Sequence, residues 1–279
     1  HLQKVGAFKF RGASNAVALL SPEQAARGVL THSSGNHAQA LARAAGERGI
    51  AAHIVMPRGA PVVKEAAVRG YGARIYPCAP TLAAREESAA RVAAETGATF
   101  IHPYDDPAVI AGQGTAMLEL LDDVADLDAV VVPVGGGGLL AGTCIAARGR
   151  APRLRVFAAE PAGADDAARS FAAGTLLPQT DPRTIADGLR TGLGRLTWPI
   201  LRDHVEAVLT VSEEEIVTAM RLAWERAKML IEPSAAVAVA AVLRPGLGGA
   251  RPPQRVGIIL SGGNVDLDRL PFAAAGAPA

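Results

Sequence analysis

The chain has 279 residues, of which 49% are hydrophobic, 20% charged and only 4% aromatic, with a net charge of +1. That length and apolar content exclude bulk disorder and allow one large α/β domain or two small ones, with a core built from alanine, valine and leucine. The near-neutral balance leaves no footprint for nucleic acid or an anionic membrane. No apolar run is long enough for a transmembrane helix, and Cys78 and Cys144, far apart with no CxxC, point to the reducing cytoplasm rather than to a disulfide framework.

In chain order, GVLTH (28–32) reads as a strand and is followed by a helix from about Asn36. AAHIVM (51–56) is a strand, and Pro61 opens a helix ending near Gly70. ARIYPC (73–78) is a strand, 81–96 a helix, and TFIH (99–102) a further strand. A helix near 107–122 precedes the most apolar strand, AVVVPV (129–134), then LRVFAAE (154–160) and VEAVLTV (205–211). A long helix over 213–229 opens with the capping box Ser212-x-x-Glu215, a second follows Pro233, and VGIIL (256–260) is the last strand. Alternation of helices with almost continuously apolar strands predicts a doubly wound parallel sheet architecture. The units between about 26 and 104 are expected to form a small domain, with 1–25 and 105–279 forming a larger one. The tail AAAGAPA (273–279) is expected to fray.

Ligands of open parallel sheets bind beyond the carboxyl ends of the strands, and three predicted loops there carry chemistry. Gly135, Gly136, Gly137 and Gly138 end one strand and open a helix, so consecutive amides converge on an anion at a helix N-terminus. No P-loop lysine follows, which argues against a nucleoside triphosphate. Gly136-x-Gly138-x-x-Ala141 also matches a dinucleotide fingerprint, with Glu160, 22 residues beyond Gly138, where a ribose-binding acid would sit. A nicotinamide oxidoreductase is therefore a competing reading. The second loop, THSSGNHAQA (31–40), places Ser33, Ser34, Gly35, Asn36 and His37 before a helix, which suits a carboxylate; capping accounts for one such polar residue but not for four. His32 and His37 are as readily packed or capping residues as functional ones. The third, LSGGNVD (260–266), sets Ser261 at a strand tip beside Gly262 and Gly263.

Lys9, between Phe8 and Phe10, is either a lysine beside a core strand or an amine whose pKa an apolar setting lowers for attack on an aldehyde. With a phosphate cradle and a carboxylate loop, it describes a pyridoxal phosphate site for amino acids. A non-catalytic amino-acid-binding protein is the rival of a different class. Glu160, Asp165 and Asp166 suit Mg²⁺ or Ca²⁺, or are simply acids at a helix N-terminus.

AFKFRGA, HSSGNHAQA, PVGGGGLLAG, AAEPAGADD, TWPI, WERAKMLIEPSA and LSGGNVDL, in that order, resemble the serine racemase and serine/threonine dehydratase family over essentially the whole chain. The resemblance implies an α/β protein of two lobes, each a three-layer architecture on a parallel sheet, of pyridoxal phosphate fold type II (the tryptophan synthase β type). It implies that Lys9 forms the Schiff base with the cofactor, Phe8 packs on its ring and Asn36 bonds the ring hydroxyl. Gly135 to Gly138 would hold the phosphate, and Ser261, with Glu232 beside it, the pyridine nitrogen. Ser33, Ser34, Gly35 and His37 match the substrate-carboxylate loop, and Arg85 a second substrate contact. In the racemase branch a divalent cation, Mg²⁺ or else Ca²⁺ or Mn²⁺, is held by positions matching Glu160, the Ala164 carbonyl and Asp166. Lys9 would remove the α-proton, the β-hydroxyl would leave, and the product would hydrolyse to a 2-oxo acid and ammonia. A serine rather than an aspartate at the pyridine nitrogen disfavours transamination. A proton returned by Ser34 from the opposite face would give racemisation instead. Tyr104, in HPYDDPAVIAGQG (102–114), looks more like bacterial dehydratases than animal racemases. The expectation is a homodimeric serine/threonine dehydratase, with serine racemase and 3-hydroxyaspartate dehydratase as alternatives. The family carries a segment ahead of the lysine motif, expected to be missing here, and no regulatory domain is expected after the catalytic one.

Overall fold

The computed structural model describes residues 1–33, 35–60 and 62–272, apart from the side chains of 62 and 63. The expected helix start at Pro61 and the tail at 273–279 lie outside the described residues. The chain divides into two compact units, Gln3–Gln113 and a second made of His1–Leu2 with the chain from Gly114 onward.

In the first unit, α1 (Lys9–Ala18) and the short α2 (Pro22–Arg27) lead into β1 (Val29–His32), α3 (Asn36–Glu47), β2 (Ala52–Pro57), α4 (Val62–Gly70), β3 (Arg74–Cys78), α5 (Leu82–Thr96) and β4 (Thr99–Phe100). The four strands form a parallel sheet in the order β3-β2-β1-β4, with Val29 opposite both Ala52 and Thr99. Alternate residues serve opposite faces, as the pleat requires. Val29 and Ile54 join one core with Phe10, Val17 and Leu41, whereas Leu30 and Val55 join another with Ala89 and Val92. Both faces are thus covered by helices, which explains the continuously apolar strands. Each fully buried leucine or isoleucine there contributes about 1.5–3 kcal/mol. The N-terminal helix packs Phe10, Ala13 and Val17 with Ala38, Leu41 and Ala45 of α3. It therefore packs within the first unit. The close approach of α1 to α6 (Pro107–Asp123) depends on glycine: a Cβ on Gly12 would lie 2.7 Å from the Val109 carbonyl.

The second unit contains β5 (Ala129–Pro133), α7 (Gly138–Arg150), β6 (Arg155–Pro161), α8 (Asp166–Ala173), α9 (Thr197–His204), β7 (Ala207–Val211), α10 (Glu213–Leu222), α11 (Pro233–Leu243) and β8 (Val256–Ile258). Its sheet is again parallel, in the order β7-β6-β5-β8. Val131 and Phe157 pack with Ile216, Met220 and the alanine- and valine-rich α11. The expected capping box is present: Ser212 Oγ accepts from the Glu215 amide at 3.2 Å, and Glu215 Oε2 accepts from the Ser212 amide at 2.7 Å. The helix over 213–229 is shorter than expected. It widens into a π-helical turn at Ala223–Ala227 and stops at Lys228, where φ is 57°. Trp224 holds this ending in place, donating from Nε1 to the Ile231 carbonyl at 3.0 Å and packing edge-on against Phe272. Local helix propensity does not contain that contact with Phe272.

In each sheet the strand order reverses once, between β1 and β4 and between β5 and β8. Such reversal points open crevices at the carboxyl ends of the strands. The SSGNH loop follows β1, the glycine loop follows β5, and Ser261 follows β8.

Candidate active site

In the first unit, Lys9 is the first residue of α1 rather than a neighbour of a core strand, with Phe8 preceding it as N-cap. Phe10 turns into the core, while Lys9 Nζ lies 5.1 Å from the Phe8 ring centroid and 5.9 Å from that of Tyr104. The amine donates to the Pro103 carbonyl at 2.6 Å. Burial lowers its pKa to about 8, because the charged form loses hydration that one carbonyl and two ring faces replace only in part.

The loop after β1 is held by β2 and by the Ser33 side chain. The Ser33 amide donates to Val55 O at 3.1 Å, and Ser33 Oγ accepts from the Gly35 amide at 3.3 Å. Gly35 is the N-cap of α3 without a side-chain cap, and Asn36 is its first residue. An anion at this helix start would face the α3 dipole. Ser34 lies outside the described residues. His37 is buried, and its Nε2 donates to the Ile101 carbonyl at 3.3 Å. Its pKa is well below the usual value, through burial first and then the charge of Lys9. The packed reading of His37 therefore describes its Nε2, whereas Nδ1 has no partner among the described residues. Arg85 sits on α5 with a buried Nε that lacks a partner among the described residues, and the pKa of His32 is lowered by burial first and then by the Arg85 charge. His32 itself packs against Phe100 at 5.3 Å.

In the second unit, the glycine loop is a built cradle. Gly137 has φ 88°, open to glycine and strained for other residues. A Cβ there would lie 2.8 Å from Thr197 Oγ1, and one on Gly135 3.0 Å from Leu189 Cα. Among the described residues, the amides of Gly135 to Gly138 have no acceptor. Thr197 locks the loop: its hydroxyl donates to Gly136 O at 2.8 Å and accepts from the Gly194 amide at 2.9 Å. The sequence reading missed this role, and TWPI is the only local trace of it. Ser261 is buried just beyond β8, and Glu232 is the N-cap of α11, its amide donating to Gly262 O at 2.9 Å.

The acidic stretch is arranged around α8. Both oxygens of fully buried Glu160 accept from its first turn, from Ala167 at 3.0 Å and Ala168 at 2.9 Å. These two bonds give Glu160 a structural role at the start of α8 that the dinucleotide reading did not include, while each oxygen keeps a second lone pair for a further partner. Asp166 accepts from Gln179 Nε2 and the Leu193 amide, both at 2.9 Å. Burial pushes Glu160 up to about 8 and Asp166 up to about 6. Two buried acids with raised pKa values are a donor set that a hard cation would neutralise. Among the described residues, no three His, Cys, Asp or Glu side chains form a metal cluster, and the expected set contains only two carboxylates and a carbonyl.

In the first unit the loop carrying Ser33 and Gly35 follows β1, and in the second Gly135 to Gly138 follow β5 and Ser261 follows β8. No helix among the described residues is long and apolar enough to cross a membrane.

A family model described as "Pyridoxal-phosphate dependent enzyme" matches residues 1–262. The chain is 52% identical over 272 residues to a β-hydroxyaspartate dehydratase of Paracoccus denitrificans, covering 98% of this chain and 86% of that protein. It is also 52% identical over 272 residues to a serine racemase of Arabidopsis thaliana, covering 96% and 82%. The solved structure of maize serine racemase superposes with a TM-score of 0.94 at 48% identity, covering 96% of this chain and 82% of that one.

Proposed function

Because the chain belongs to the family of pyridoxal-phosphate dependent enzymes, we propose that it is an ammonia-lyase of that family, converting L-serine, L-threonine or a related 3-hydroxy amino acid to a 2-oxo acid and ammonia. The observation that carries this reading is the Lys9 amine, seated between two aromatic rings and lowered to about pKa 8. At pH 7 roughly a tenth of such an amine is unprotonated, against well under a thousandth for an exposed lysine.

The residues fit the group. The amides of Gly135 to Gly138 offer four donors to a phosphate, and Ser261 offers a neutral hydroxyl to a ring nitrogen. Pyridoxal phosphate, when bound, supplies a ring that withdraws electrons from the substrate's α-carbon. The chain's own residues do the rest. Lys9 holds the cofactor and moves the α-proton; Phe8 packs on the ring, and Asn36 bonds its hydroxyl. Ser33, Gly35 and the start of α3 take the substrate carboxylate, with His37 and Arg85 alongside. In the racemase alternative, Ser34 would return a proton from the opposite face. Glu232 stands beside Ser261, and a hydroxyl there leaves the ring nitrogen without a full counter-charge, which disfavours transamination. The reading carries with it a homodimer and a cytoplasmic location.

Two relatives of equal identity bear different names, so racemisation of serine and dehydration of 3-hydroxyaspartate compete with the main reading. One panel separates them: 2-oxo acid release and chiral analysis with L-serine, L-threonine and 3-hydroxyaspartate. The expected result is 2-oxo acid from serine or threonine at a rate exceeding racemisation. Faster inversion than elimination makes the protein a racemase, and turnover confined to hydroxyaspartate makes it that dehydratase.

A divalent cation held by Glu160, the Ala164 carbonyl and Asp166 belongs to the same reading. Saturating Mg²⁺ is expected to raise the melting temperature by several degrees, since a ligand at a hundredfold its Kd adds about 2.7 kcal/mol. EDTA should reverse the gain, and Asp166→Asn should abolish it. No response to either reagent removes the cation from the account.

A further inference from the structure

One histidine that does not touch the Lys9 amine builds the seat on which it rests. Beyond β4 the chain turns sharply, and His102 Nδ1 accepts from the Asp105 amide at 2.8 Å and the Tyr104 amide at 3.3 Å. A nitrogen that receives two N–H donors carries no proton itself, so the neutral ring bears its hydrogen on Nε2. The turn closed in this way contains Pro103, whose carbonyl receives the Lys9 amine at 2.6 Å. The His102 ring also meets Tyr104 edge-on at 4.6 Å, and Tyr104 is one of the two rings flanking the amine. Further ring contacts to Phe100 at 6.1 Å and His32 at 6.3 Å hold the imidazole from the strand side.

The geometry points to His102 as the positioning residue for Lys9: by closing the 102–105 turn it sets the Pro103 carbonyl and the Tyr104 ring that orient the amine. Proline suits the position, because it donates no backbone N–H that would compete for Nδ1. Burial lowers the His102 pKa to about 4, with Asp105 and Asp106 opposing and His32 and Lys9 assisting. The ring thus stays neutral and accepting through the pH range in which an amine of pKa about 8 is titrated. The inference rests on the reading of Lys9 as the cofactor lysine.

The test uses the holoenzyme. Long-range ¹H–¹⁵N spectra should show His102 with an unprotonated Nδ1. His102→Phe keeps an aromatic ring but removes the acceptor. It should shift the pH midpoint of the cofactor's visible band, raise the cofactor Kd and lower kcat about tenfold each, and leave KM within about twofold. His102→Asn, whose carbonyl can accept the same two amides as in an Asx-turn, should recover most of both losses. A protonated Nδ1 overturns the inference whether or not the phenylalanine variant folds, as does a folded His102→Phe with the parental band and kcat. If Lys9→Ala retains the visible band, the reading of Lys9 fails instead.

Discussion

Replacing Lys9 with alanine is expected to reduce turnover by at least about a thousandfold and to remove the visible absorption of the bound cofactor. Lys9 lies against two aromatic rings and a backbone carbonyl, with its pKa brought to about 8. The substitution should leave the fold intact. A buried amine pays a desolvation cost that alanine does not, and the first position of α1 tolerates alanine well. The melting temperature of the apoprotein should therefore stay within a few degrees of the parent. Lys9→Arg should be equally inactive, because it keeps a cation without a nucleophilic amine. Borohydride treatment of the parent should bleach its band and leave the cofactor bonded to the peptide containing Lys9. A variant lacking Lys9 that still shows the band would remove the lysine, and with it the proposed chemistry.

Gly137→Ala should produce the second large effect, on stability and cofactor affinity together. The residue is left-handed at φ 88°, and the new methyl would lie 2.8 Å from Thr197 Oγ1, 2.9 Å from Thr197 Cβ and 3.3 Å from a Leu193 methyl. Thr197 is fully buried, with its hydroxyl fixed between Gly136 O of the loop and the Gly194 amide, so it has little room to yield. Backbone strain and crowding together should cost about 2–4 kcal/mol. The distorted loop should hold phosphate at least about tenfold more weakly, read as a higher cofactor Kd. Gly149→Ala is the control: it lies in α7, the helix that Gly137 caps, with an ordinary φ and nothing within 4 Å of the added methyl. It should be neutral or stabilise by about 0.5–1 kcal/mol. Equal behaviour of the two variants would mean that the glycine run is a plain turn and not a cradle.

Much of this was legible in the residues. Strand–helix alternation showed the parallel architecture because a strand covered on both faces must be apolar throughout, and β5 with Val130, Val131 and Val132 displays this openly. The glycine run was legible for a similar reason: few backbones other than glycine can turn at Gly137 and leave amides open to an anion. Lys9 was less clear. Two flanking phenylalanines suit a strand as well as a helix start, and only the packing of Phe10, Ala13 and Val17 against α3 decides for the helix.

By itself, then, the sequence determined the class of fold, the order of the elements and the chemistry of the loops, since each depends on residues adjacent in the chain. Tertiary structure alone decided what those loops are tied to. Pro103 receives an amine 94 positions away, Thr197 braces a carbonyl 61 positions away, and Glu160 caps α8 instead of standing free. Periodicity and local propensity report which face of an element is buried. They carry no record of which distant carbonyl or amide meets it, because that depends on how the strands order themselves in the sheet.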